Sequence, residues 1–151
     1  MALRLSADLK NEVINHMVSQ MAGTCFTAGT SSIKIYTGIQ PTDADTAPAG
    51  VNGTLLCTII GIGWGAGTCG ATAGTSALAS GSGYFGTAVA TGTAGWARLQ
   101  TVGADKYTGS AGTYNIDGDV GTSAASTFVI NAVSVTNLST VTLLTAPISI
   151  S

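Results

Sequence analysis

Few side chains in this sequence have the chemistry to do more than pack. His16 is the only histidine, the cysteines are Cys25, Cys57 and Cys69, and Asn115, Asp117 and Asp119 set three oxygen-bearing side chains at alternate positions. Catalysis or metal binding needs several such groups converging on one point. No cysteine or carboxylate cluster lies near His16 in sequence, so a surface or boundary position on a helix is expected for it. Alternate residues of a strand share a face, so Asn115, Asp117 and Asp119 could in principle meet one cation. A calcium loop, however, needs more oxygens and a late bidentate glutamate, and the only glutamate is Glu12. A turn that uses its Asx side chains locally is the expectation instead. Gly65-Ala-Gly67-Thr-Cys69-Gly70 fits the G-x-G-x-x-G pattern, but the phosphate-binding version opens a helix and is followed by an acid about 20 residues on. Here Ala-Thr-Ala-Gly-Thr-Ser follows, and residues 86–92 hold no acid. There is no C-x-x-C for zinc or redox chemistry and no G-x-S-x-G. The Asn-x-Ser/Thr sites at Asn52 and Asn137 matter only in a secreted chain. These residues point to a non-enzymatic protein with no cofactor and no metal.

The elements that position these residues are mostly strands. Trp96, Arg98 and Gln100 alternate with Ala97, Leu99 and Thr101, the period of a strand with two unlike faces. Ile33 and Ile35 alternate with Lys34 and Tyr36 in the same way. Strands are expected near 32–37, 54–60, 95–102, 113–117, 126–135 and 140–150, with a short one over 84–91. Tyr114, Ile116 and Val120 are expected to look inward. Asp117-Gly118 reads as a break, a hairpin or bulge, because glycine accepts positive φ without steric cost. Pro41, Pro48, Asp43 and Asp45 mark Gln40 to Gly53 as an exposed loop, and Gly103 to Gly112 reads as a turn. Pro147 marks an end or edge strand.

One helix is expected, over 7–22. Ser6 suits its N-cap and Asp8 its first turn. Leu5, Leu9, Val13, Met17 and Met21 recur every four residues, and Gly23 suits a left-handed stop. The apolar stripe, represented by Leu9 and Met17, either covers the open side of the β layer or docks on a neighbouring subunit. Residues 61–83 are nearly all Gly, Ala, Ser and Thr, and read as an extended arm or long loop, with Trp64 either anchoring it on a partner or packing in the core. Trp96, on a strand, is expected in the core. The combined reading is a single domain over 1–151, mainly β, an antiparallel, jelly-roll-like β-sandwich with one N-terminal amphipathic helix and a Gly-rich arm.

Composition narrows the function. Charged residues are 8% of the 151, with a net charge of −2 and 21 glycines, where about 25% charge is usual. The surface must therefore be hydroxyls, glycine and backbone, which suits a protein covered by copies of itself or by a scaffold and offers little charge to oppose association. Five basic residues form no patch for nucleic acid, and no run approaches a membrane span. No apolar h-region follows Arg4, so a secretory signal is not expected. In the cytosol the three cysteines are expected to stay reduced. A late disulfide between Cys57 and Cys69 is the alternative once a particle reaches an oxidising medium.

Four stretches carry a resemblance. Ile35-Tyr36-Thr37-Gly38-Ile39-Gln40, Gly53-Thr54-Leu55-Leu56, Gly92-Thr93-Ala94-Gly95-Trp96-Ala97-Arg98 and Asp117-Gly118-Asp119-Val120-Gly121-Thr122-Ser123 occur in this order along most of the chain. In kind and order they resemble a family of small bacteriophage virion structural proteins of the head decoration and neck type. The resemblance implies a component assembled in the host cytoplasm and carried in the virion. It would bind copies of itself and other virion subunits, such as major capsid, portal or neck proteins. The alternative is a tail- or fibre-associated module binding a host glycan through Tyr36, Tyr84, Tyr107 and Trp64.

Overall fold

The computed structural model describes residues 6, 13, 31–44, 46–48, 53–62, 75–76, 83–101 and 115–149. Strands dominate them: β1 (Ser31–Tyr36), β2 (Leu55–Ile62), β3 (Thr75–Ser76), β4 (Tyr84–Thr87), β5 (Gly92–Thr93), β6 (Trp96–Thr101), β7 (Asn115–Gly121), β8 (Phe128–Ile130), β9 (Ser134–Val135), β10 (Thr140–Thr145) and β11 (Ile148–Ser149). The expected strand near 126–135 is interrupted: β8 and β9 are separate and pair with different partners. Of the expected helix only Val13 is described, as a helical residue on the boundary of exposure; Leu9 and Met17 lie outside the described residues.

The expected sandwich gives way to a different architecture. Seven strands form one sheet in the order β2-β1-β6-β7-β8-β10-β4, and β3 with β11 and β5 with β9 make two small ribbons. The outer strands of the large sheet approach each other through an antiparallel bridge between Cys57 and Ala88 and a hydrogen bond from the Val89 amide to the Leu56 carbonyl at 2.8 Å. The sheet thus nearly closes into a barrel. Period-2 alternation is identical in a sandwich and a barrel, because both bury one face of each strand.

The barrel interior is built from one face of each strand. Ile33 and Ile35 of β1, Cys57 and Ile59 of β2, Ala97 and Leu99 of β6, Phe128 and Ile130 of β8, and Val141 and Leu143 of β10 form one buried cluster. Ile116 and Val120 pack against it partly buried, as their inward positions on β7 require. A bulge at Leu56, where Ile35 faces Cys57 and Tyr36 faces Leu55, lets two successive residues of β2 turn inward. The first residues of the expected glycine-rich arm belong to this body: Gly61 and Ile62 complete β2, and Ile62 is fully buried. Thr75 and Ser76 pair with Ser149 and Ile148. Trp64 and Cys69 lie outside the described residues.

One pairing is parallel. Val120 faces Phe128 and Gly121 faces Val129, although only residues 122–127 connect the two strands. A parallel crossover usually takes a dozen residues or more. Here the chain reverses twice instead. It turns where the Ser126 amide donates to the Ser123 carbonyl, and the return leg lies against β7 itself. A Cβ on Gly118 would sit 2.6 Å from Thr127 Cγ2, and one on Gly121 would sit 2.1 Å from Ser126 Oγ. Asp117-Gly118 is therefore not a hairpin tip. It lies inside β7, and the glycine is there for close approach rather than for positive φ.

Candidate functional site

The outer faces of β1, β6 and β7 carry a grid of polar and aromatic side chains. The pairing register sets Ser32, Gln100 and Asn115 in one row, Lys34, Arg98 and Asp117 in the next, and Tyr36, Trp96 and Asp119 in the third. Every charge borne by a strand of this structure sits in this grid. It is the one place among the described residues where groups suited to chemistry converge.

Arg98 is the centre. Its side chain is 0% exposed, and its Nε and Nη2 donate to Asp117 Oδ1 and Oδ2, each at 2.7 Å. This bidentate geometry is the strongest that a carboxylate and guanidinium can adopt. The remaining arm, Nη1, donates to the Thr46 carbonyl at 2.9 Å. The Arg98 guanidinium also lies over the Trp96 ring, 5.5 Å from its centroid, and Trp96 stacks on Tyr36 with centroids 4.6 Å apart. Trp96 is buried, as its sequence reading expected, but on the face opposite the barrel cluster.

The loop after β1 crosses this grid. Besides Thr46, the Ala44 carbonyl accepts from Asn115 Nδ2 at 3.2 Å, and Pro41 is buried. The expected exposed loop is thus exposed on one side only; its backbone carbonyls close the sheet's second face. Asn115 Oδ1 is buried and has no hydrogen-bond partner among the described groups.

The three alternate oxygens of β7 do share a face, but their contacts separate them. Asp117 is engaged by Arg98 and Asn115 by Ala44, while Asp119 Oδ1 accepts from the Thr127 amide at 3.0 Å and the Thr127 hydroxyl at 2.7 Å. Those two bonds from Thr127 favour the ionised form and hold the Asp119 carboxyl below its ordinary range. No group of three or more His, Cys, Asp or Glu side chains could hold a metal ion among the described residues. What this arrangement does chemically is fasten: it joins β1, β6 and β7, straps the 41–48 loop across them, and pins the return leg before β8.

The depressed pKa of Asp119 sets a pH dependence. A carboxyl whose folded pKa is lowered contributes stability above its unfolded pKa of about 3.9, and loses it as pH falls through the folded value. Asp119→Asn should therefore unfold with a flatter acid limb than the wild type below about pH 4. The difference stays under about 1 kcal/mol because the group is exposed and screened. Parallel stability curves from urea melts at pH 2 to 6 would show that the two Thr127 bonds carry no such coupling.

Cys57 is a free, fully buried thiol facing the barrel interior, and burial raises its pKa, which makes it inert. The expected bridge partner Cys69 lies outside the described residues. Two of the four aromatic side chains expected to meet a glycan, Tyr36 and Tyr84, are buried at 6% and 7% exposure; Trp64 and Tyr107 lie outside the described residues. A separate pocket of about 180 Å³ is lined by Asn131, Ser134, Thr136, Ser139 and Thr140. Its amide is already committed: Asn131 Nδ2 donates to the Thr140 carbonyl and its Oδ1 accepts from the Thr142 amide.

Sequence reasoning missed the Arg98–Asp117 pair. The signal was present: opposite charges on the outward positions of two successive strands. Its use required knowing that these strands are direct neighbours in a register that sets Arg98 opposite Asp117. Scans against protein-family models and searches of curated proteins and solved structures found no match to this chain.

Proposed function

We propose that the chain is a non-enzymatic bacteriophage virion structural protein that binds and reinforces other virion subunits, as a head decoration (cement) or neck-collar component. The observation that carries this reading is what the four resembling stretches do once folded. The Gly95 amide donates to the Tyr36 carbonyl at 2.9 Å, and the Thr37 amide to the Thr54 carbonyl at 3.0 Å. Trp96 stacks on Tyr36, and Arg98 pairs with Asp117. A Cβ on Gly95 would lie 2.3 Å from the Gly38 carbonyl oxygen, so glycine lets the two stretches touch. All four motifs thus serve one fastened body, and their residues build a rigid scaffold instead of a reactive centre. A rigid body with a charge-poor surface suits repeated contacts in a symmetric shell or ring, where small contacts multiply into avidity.

The test is co-sedimentation of the purified chain with particles of the encoding phage that lack it. Saturable binding at a fixed copy number per particle is the expected result. Absence of binding, together with specific retention on a host-glycan array, would replace this reading with the glycan-binding one.

A further inference from the structure

The wall of the barrel opposite the charged grid has a different character. Strands β2, β4 and β10 contain no charged residue. Their outward positions hold Ile60, Phe85 and Leu144, exposed by 70%, 65% and 59%. These three side chains form one strip. Phe85 faces Thr142 in the β4–β10 ladder, and Leu144 lies two residues further along the same strand. Such diagonal neighbours are within reach of an aromatic ring. On the other side, the Cys57–Ala88 bridge fixes the register of β2 against the chain after β4. β4 thus lies between β10 and β2, and Phe85 stands between Leu144 and Ile60 in strand order. A Cβ on Gly83, beside Leu144, would meet nothing within 4 Å, so the strip is open at that end.

We infer that this strip is the face by which two copies of the chain pair. Three lines identify the occupant. The first is shape: Phe85 is central and is flanked by two aliphatic side chains of nearly equal size. A two-fold axis through Phe85 stacks it on its mate and sets Ile60 against Leu144 of the other copy, the self-complementarity an isologous contact requires. The second is area. Three large side chains at these exposures leave roughly 400 Å² of apolar surface. That lies within the range of the largest functional patches on monomers. With the flanking threonine methyls it supplies the apolar centre of a contact burying about 800 Å² per partner. The third is charge. An acidic or basic partner would be met by complementary charge, and this wall has none, so two such walls meet without repulsion or unpaired ions.

The inference rests on the assembly reading above only in naming a face through which copies meet, and its test uses the purified full-length chain with no particle present. Sedimentation velocity from 5 to 200 μM is expected to show reversible association of the wild type, with Phe85→Asp weakening it at least about 30-fold, as for a central anchor. Leu144→Ser should weaken it less, and both variants should keep the wild-type melting temperature because the side chains are exposed. If Phe85→Asp loses melting temperature, Leu144→Ser and Ile60→Lys decide in its place. Oxidation of Phe85→Cys should yield a covalent dimer, whereas Ile39→Cys, exposed but outside these strands, should not. A wild type that stays monomeric to 200 μM overturns the inference, as does association that these substitutions leave unchanged. A monomer that still binds particles removes the pairing and keeps the virion reading; a dimer that binds none does the reverse.

Discussion

Asp117→Ala is expected to cost about 3–5 kcal/mol of folding stability, measured by urea denaturation at neutral pH. The magnitude follows from burial. Arg98 is wholly inside, its guanidinium is always charged, and both of its lower donors are spent on Asp117. Removing the carboxylate leaves a desolvated cation without its counter-charge, although the Thr46 carbonyl and the Trp96 face still meet it. Arg98→Met in the wild type should be comparably costly, because it strands the Asp117 carboxylate instead. The double substitution Arg98→Met with Asp117→Leu removes both charges and should recover most of the loss, since apolar replacements of a buried pair are often neutral. A cost for Asp117→Ala below about 1 kcal/mol would place it in the range of surface ion pairs. The pair would then not be the fastening of β6 to β7 argued above. Loss of Arg98 should also loosen the 41–48 loop, which hydrogen exchange at its amides would report.

The second large effect concerns barrel closure. Gly86→Val is expected to destabilise the fold by about 3 kcal/mol or more, at the top of the range for overpacking. A Cβ at this position would lie 2.4 Å from the Thr58 carbonyl oxygen and 2.7 Å from Cys57 Sγ. Sulfur at the end of a short side chain can turn aside, but a backbone carbonyl in β2 cannot move without shifting β1 as well. The seam between β2 and β4 must therefore open. Near-ultraviolet circular dichroism should register it through Tyr84, which is buried on β4, and accelerated alkylation of Cys57 should follow as solvent reaches the interior. A variant with wild-type stability and an unreactive Cys57 would show that the seam accommodates a side chain. The absence of one at Gly86 would then not be what permits closure.

The sequence by itself determined the strand content and which side chains share a face. Ile33 with Ile35, Ala97 with Leu99, and Trp96 with Arg98 and Gln100 were legible because backbone pleating imposes period 2 whatever the strand's neighbours. The burial of Trp96 followed from its size. Only the tertiary structure decided what each face meets. Alternation showed only that β6 has two unlike faces; the burial of Arg98 and Gln100 was not legible, and Arg98 is met by a loop residue 52 positions earlier. The partner of Arg98 lies 19 residues away on a neighbouring strand. The glycines of the Asp117–Gly121 stretch read as turn formers because local sequence reports φ preference but not an approaching chain; in the fold they admit the return leg that makes β8 parallel to β7. The same limit applies to the exposed strip. Ile60 and Phe85 are apolar residues of expected strands, and nothing local marks them as exposed. Their exposure arises because a nearly closed barrel has one interior, so alternate residues of β2 and β4 must point away from it, whatever their chemistry.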